Sequence, residues 1–241
     1  MRSTLAAALA VTMAFAAVSP AAAQTATGNA AAASDFEERQ TQALIKAFRL
    51  SNDGKPGEAL SIFTEVIAAY EKGVKSNVIY RCAGSSEQAL GGLLEAITTN
   101  PDKDAVAVSR NWCAALFGKG FVLIDLGRPA EARDYLAKAV EMEPDNAHYI
   151  NEYAEWYKSD RQWNRSYDLF TRAWDIVSHD KNGPDRRVAA RSLRGMAFNL
   201  IELGDLDKAE KLLNQSLEFE PEAKAKVENE LAYIASMRKR R

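Results

Sequence analysis

The chain has 241 residues, with 31 Lys and Arg against 33 Asp and Glu, a formal net charge of −2 and 47% hydrophobic residues. Charge this close to balance excludes broad electrostatic attraction to nucleic acid or anionic lipid, and two histidines with two cysteines leave little from which to build a metal centre. The length suits one elongated domain or a repeat array.

Reading from the start, Arg2 gives a positive opening, residues 5–18 are uncharged and rich in Ala, Leu and Val, and Ala21, Ala22 and Ala23 supply small residues. This is the pattern of a signal peptide over residues 1–23, with cleavage expected between Ala23 and Gln24. The apolar stretch is shorter than the roughly twenty residues that a spanning helix needs. Export into a bacterial periplasm is therefore the expectation, with no stable membrane insertion of the mature chain. Residues 24–34 carry no charge and no large apolar side chain, so burial cannot offset the entropy of ordering them, and a flexible leader is expected.

From residue 35 onward the sequence repeats itself. Leu116, Gly120, Leu123, Gly127, Ala132, Leu136, Ala139 and Pro144 form a set that recurs 34 residues later as Ile150, Ala154, Tyr157, Arg161, Ser166, Phe170, Ala173 and Ser178. A further copy, displaced by nine residues, reads Leu193, Ala197, Leu200, Gly204, Ala209, Leu213, Ser216 and Pro221. The extra residues fall around 181–189, where Asn182, Gly183 and Pro184 signal a loop. Earlier, Ala43, Ala47, Leu50, Gly54, Ala59, Phe63 and Ile67 match the set, whereas Ala89, Leu93, Ala96 and Pro101 match its second half alone.

Apolar residues at spacings of three and four mark one face of a helix, and the Gly-containing turn separates it from a second helix with its own face. Small residues let the two backbones approach, and the terminal Pro blocks continuation of the second helix. Neither helix buries its face alone, so units must stack. In this respect Gly120, Ala132, Leu136, Ala139 and Pro144 resemble the tetratricopeptide repeat family. The resemblance implies an all-α fold, a right-handed superhelical stack of about four to five helical hairpins. Units are expected near residues 40–72, 74–101, 104–146, 147–180 and 185–223, within a domain spanning 35–237. The 74–101 unit has an irregular first helix, the helix that carries Cys113 starts as early as Asp104, and the unit from Ala147 lacks the turn Gly. Residues 222–237 read as a capping helix, and residues 238–241 as a solvated basic tail.

Catalytic chemistry is not evident. His148 and His179 stand 31 residues apart with no ligand cluster at metal spacing, and no nucleophile elbow, phosphate-binding Gly loop or zinc-protease helix occurs. Gly91 and Gly92 lie inside a helical pattern and read as close packing. No cofactor is expected, and the resemblance implies a non-catalytic scaffold that binds a protein or peptide. The alternatives are a holdase for exported polypeptides, an enzyme or its regulatory subunit, and a structural protein that self-associates.

In the family, the first helix of each unit lines a concave groove. Carried over position by position, that surface includes Phe117 and Phe121, then His148, Asn151, Glu155 and Lys158, then Arg191, Arg194 and Phe198. Arg187, Arg191 and Arg194 follow at spacings of four and three, forming one helical stripe suited to an acidic side chain or a terminal carboxylate. The same stripe also reads as a solvated charged face, and the Phe residues as packing between units. The Lys and Asn clamp by which some members hold a chaperone's C-terminus is not matched, because Phe117 and Phe121, Asn151 and Glu155, and Arg194 and Phe198 stand there.

Cys82 and Cys113 form an even pair in a chain expected to mature in an oxidising compartment, which favours a disulfide. A regular stack opposes it: it would place the two about twelve helical positions apart, roughly 18 Å, against the ~7 Å a bridge tolerates. The irregular unit weakens that objection, and free structural thiols are the other reading.

Overall fold

The computed structural model describes residues 20–240, with side chains from residue 31; most of the expected signal segment, residues 1–19, and Arg241 of the tail lie outside the described residues. The described residues divide into two units, on either side of the boundary between Arg39 and Gln40. Helix α1 (Pro20–Asn52) makes residues 24–34 helical where a flexible leader was expected, and the expected cleavage point lies within it. Ala occupies residues 30–33, and Ala needs no burial to favour helical backbone. The burial argument alone therefore misread this stretch.

In the second unit, the end of α1 and α2 (Pro56–Glu71) form the first hairpin, with the Phe48 and Phe63 rings edge to face at 5.0 Å. Three more hairpins follow: α4 (Arg110–Asp125) with α5 (Pro129–Met142), α6 (Ala147–Ser159) with α7 (Trp163–Val177), and α8 (Arg186–Leu203) with α9 (Leu206–Phe219). A short turn at Pro221–Ala223 leads into the capping helix α10 (Lys224–Arg240), longer than the expected cap and taking in the basic tail.

The hairpins close in one way. Gly54, Gly127 and Gly204 adopt φ of 73°, 71° and 87°, and the next N–H reaches back to a carbonyl in the last helical turn: Lys55 to Leu50, Arg128 to Leu123 and Asp205 to Leu200, at 2.8–2.9 Å. This is the left-handed helix stop that Gly makes without strain. In the third hairpin Arg161 stands there with φ 57°, and Gln162 still bonds Tyr157 at 2.9 Å. Close approach of helices needs Gly elsewhere: a Cβ on Gly120 would lie 2.7 Å from Leu136, and one on Gly195 would lie 2.4 Å from Phe170.

The expected second unit is not a repeat. Helix α2 packs directly on α4, and between them the chain makes strand β1 (Val78–Ala83), helix α3 (Ser86–Thr99) and strand β2 (Asp104–Ser109). The strands pair in parallel, from Val78 opposite Asp104 to Ala83 opposite Ser109. Residues 104–109 thus extend where an early helical turn was expected, and α4 starts at Arg110. The cause is local: Val78, Ile79 and Tyr80, then Val106 and Val108, are β-branched or aromatic residues that favour extended backbone. Ala89, Leu93 and Ala96 matched the repeat because they are helical, yet that helix packs on the two strands rather than on a hairpin partner.

Three contacts fix this insertion to the repeats. Cys82 of β1 is bridged to Cys113 of α4. The buried Arg81 side chain donates to Glu95 of α3 at 2.8 and 3.0 Å and to the carbonyl of Glu141 in α5 at 3.1 Å. Trp112 of α4 is buried between Tyr70, stacked at 5.9 Å, and Tyr80, edge-on at 5.5 Å.

Candidate functional site

Helices α6, α8 and α10, with Leu213 of α9, line an open cavity of about 340 Å³, with Glu155, Lys158, Arg191, Arg194, Phe198 and Lys226 on its walls. The wall is built from first helices of two successive hairpins, whose one-residue-in-three-or-four spacing turns Arg191, Arg194 and Phe198 to the same side. α6 presents Glu155 and Lys158, which pair with each other.

Most of these charges are already engaged. Arg191 bridges from α8 to Glu152 of α6 and, at 3.8 Å, to Glu155. Arg194 lies 2.7 Å from Glu220, but its buried Nη1 meets no acceptor among the described residues. Lys158 sits 4.8 Å above the Phe198 ring, in range of a cation–π attraction. Lys226, exposed on α10, makes no ion pair with the described residues. The cavity thus offers one unpaired cation, Lys226, and an aromatic wall.

The other predicted site residues divide. Asn151 is fully buried, donating to the carbonyl of Val188 at 3.1 Å and accepting from Ser192 at 2.9 Å, so it ties α6 to α8 and does not reach a ligand. Phe117 is likewise in the core, stacked on Tyr149 at 4.8 Å, whereas Phe121 is exposed. Arg187 leaves the cavity: it joins Arg186 on Glu222, whose carboxyl these hydrogen bonds, chiefly that of Arg186, hold down to about 2. His148 and His179 come together on a different cavity of about 460 Å³, where Arg81 and Glu143 also lie. Gly92 is closely packed as expected, since a Cβ there would lie 3.3 Å from the Arg81 side chain, while Gly91 is open.

Sequence reasoning missed Lys226, Asn229 and Glu230, which α10 brings to the cavity; residues 222–237 were read as a capping helix alone. The signal was its strong helical pattern after Pro221, which fixes a helix but not the face it turns inward.

Among the described residues no group of three or more His, Cys, Asp or Glu side chains could hold a metal ion, and no helix is long and apolar enough to cross a membrane.

A stack of two-helix units with a capping helix defines a helical-repeat protein of the kind that scaffolds interactions between proteins. Residues 113–146, the α4–α5 hairpin, match the family model of the tetratricopeptide repeat. No curated protein matches it in sequence. Among solved structures it is similar to a Podosopora anserina protein of nearly identical TPR-like repeats, at 16% identity over 84% of this chain and 88% of that one, with a TM-score of 0.59. The Pseudomonas aeruginosa protein pilF aligns at 13% identity over 86% and 72%, TM-score 0.58, and MamA from Desulfovibrio magneticus at 14% over 83% and 85%, TM-score 0.55. Identities this low carry the fold alone.

Proposed function

We propose that the protein is a non-catalytic adaptor of the bacterial cell envelope, exported by its N-terminal segment and binding a peptide or protein along the first helices of its hairpins. The observation that supports this reading most directly is the α6–α8–α10 cavity, where Lys226, with no ion pair among the described residues, shares a wall with the Phe198 ring. Such a wall suits an acidic side chain or terminal carboxylate followed by an apolar residue.

The test is crosslinking in cells followed by mass spectrometry, comparing wild type with Lys226→Glu and Phe198→Ala. Lys226 is exposed, so its reversal leaves the fold intact. A discrete partner that crosslinks to the wild type and is lost from both folded variants supports the adaptor reading. An unchanged set of crosslinks removes the cavity as the binding site, and an unprocessed chain retained in the cytoplasm removes the envelope assignment.

A further inference from the structure

The cavity of about 460 Å³ beside the insertion has no part in the adaptor reading. One wall is β1 and α3; the other is the connection from α5 to α6, with the end of α7 and Asp185 before α8. The Cys82–Cys113 bridge ties the first wall to α4, which packs on α5. The volume lies in the range of small-ligand sites.

Four carboxylates and two guanidinium groups line this cavity. Both guanidinium groups are engaged, Arg81 by Glu95 and Arg110 by Glu143, each at 2.8 Å. Glu143 is only 9% exposed, and its Oε2 has no hydrogen-bond partner among the described residues, so Arg110 compensates that buried carboxylate in part. Asp145 and Asp185, exposed at the rim, form no ion pair within the described residues. Asp185 stands at the N-cap of α8, yet its side chain caps no N–H. Helices α5 and α7 end at the cavity while α6 and α8 begin there, so their dipoles offset one another and side chains set the sign. Arg172 of α7 binds the Pro144 carbonyl and does not line the cavity.

Gly91 adds an independent sign. Gly is unfavourable inside a helix, and at Gly92 the Arg81 side chain explains it. A Cβ on Gly91 would meet nothing within 4 Å, so no contact within the protein calls for the missing side chain, which leaves room in the cavity.

We infer that this cavity binds an organic cation: an ammonium or guanidinium group on a short carbon chain. Asp145 and Asp185 receive the charged head, the buried Glu143 strengthens the field of a poorly solvated wall, and the carbon chain lies along Met142, Ile176 and Val177. A free polyamine and a Lys or Arg side chain of another protein share this chemistry. The inference is independent of the α6–α8–α10 cavity and stands or falls apart from it.

The experiment is calorimetric titration of the folded, disulfide-bonded chain with spermidine and, separately, with the blocked peptide acetyl-Gly-Arg-Gly-amide. A Kd at or below about 100 µM is expected for at least one probe. Binding of spermidine assigns a free cation, and binding of the peptide alone assigns a protein side chain. Asp145→Asn with Asp185→Asn weakens binding at least about tenfold. Gly91→Leu fills the cavity and replaces an unfavourable helix residue, so it abolishes binding without lowering Tm. The inference is overturned if neither probe binds with a Kd below about 5 mM, or if either variant binds as the wild type does.

Discussion

Cys82 in β1 and Cys113 in α4 stand with Cα atoms 6.2 Å apart and their sulfurs bonded, across an insertion that also meets the repeats through Arg81 and Trp112. Thirty-one residues separate them in sequence, so the bridge removes about 3–4 kcal/mol of loop-closure entropy from the unfolded chain. Cys82→Ala with Cys113→Ala is expected to lower Tm by roughly 10 °C, taking about 2–4 °C per kcal/mol for a chain of this size. Calorimetry of the wild type with and without reductant, beside the double variant, checks it. Equal melting in all three would show that the insertion is held by packing alone.

Arg161 occupies the left-handed position that Gly fills in the other three hairpins. A side chain there costs about 1–2 kcal/mol relative to right-handed backbone, offset in part by the greater freedom a Gly would give the unfolded chain. Arg161 is exposed and makes no ion pair within the described residues. Arg161→Gly is therefore expected to stabilise by about 0.5–1 kcal/mol, read as a shift of the urea midpoint with unchanged slope. A lower midpoint would mean that Arg161 contributes an interaction larger than its strain.

The repeat was legible because its positions are dictated by packing: Gly120, Ala132 and Leu136 meet in the structure as their period requires. The insertion was not, because α3 shares the helical period of a repeat while its neighbours are strands, and pattern along one segment does not name the surface it packs on. The Val78, Ile79, Tyr80 run was the available signal. At the cavity, the charges of Arg191 and Arg194 were legible, but their partners Glu152 and Glu220 lie 39 and 26 residues away in sequence and only the stacking of hairpins brings them together. Asn151 shows the same limit: its groove position was carried over from the resemblance, whereas the contact between α6 and α8 buries it.

The Arg191 to Glu152 pair joins two hairpins, with only 11% of the Glu152 side chain exposed. Reversing one partner places two carboxylates, and Glu155 as a third, in a poorly solvated space. Arg191→Glu is expected to cost about 3 kcal/mol, since breaking a buried pair leaves a charge without compensation. Adding Glu152→Arg should recover much of the loss, because it restores opposite signs. Thermal unfolding by circular dichroism of the single and double variants measures the coupling. Additive losses would show that the pair contributes nothing as a pair.

His148 sets the pH dependence. Partial burial against Phe117, whose ring centre is 4.9 Å away, is the largest influence and holds its pKa below the usual 6.5, with Glu152 opposing and Arg191 reinforcing the shift. The sign follows from proton counting: below about pH 6.5 the unfolded chain binds a proton at this position that the folded chain resists, so stability falls as pH drops from 6.5 to the lower folded value. His148→Gln removes that proton uptake. Its melting temperature is expected to fall less than that of the wild type between about pH 7 and about pH 5.5, while the two chains respond alike above pH 7. Parallel curves through the acidic range would show that His148 titrates the same way folded and unfolded.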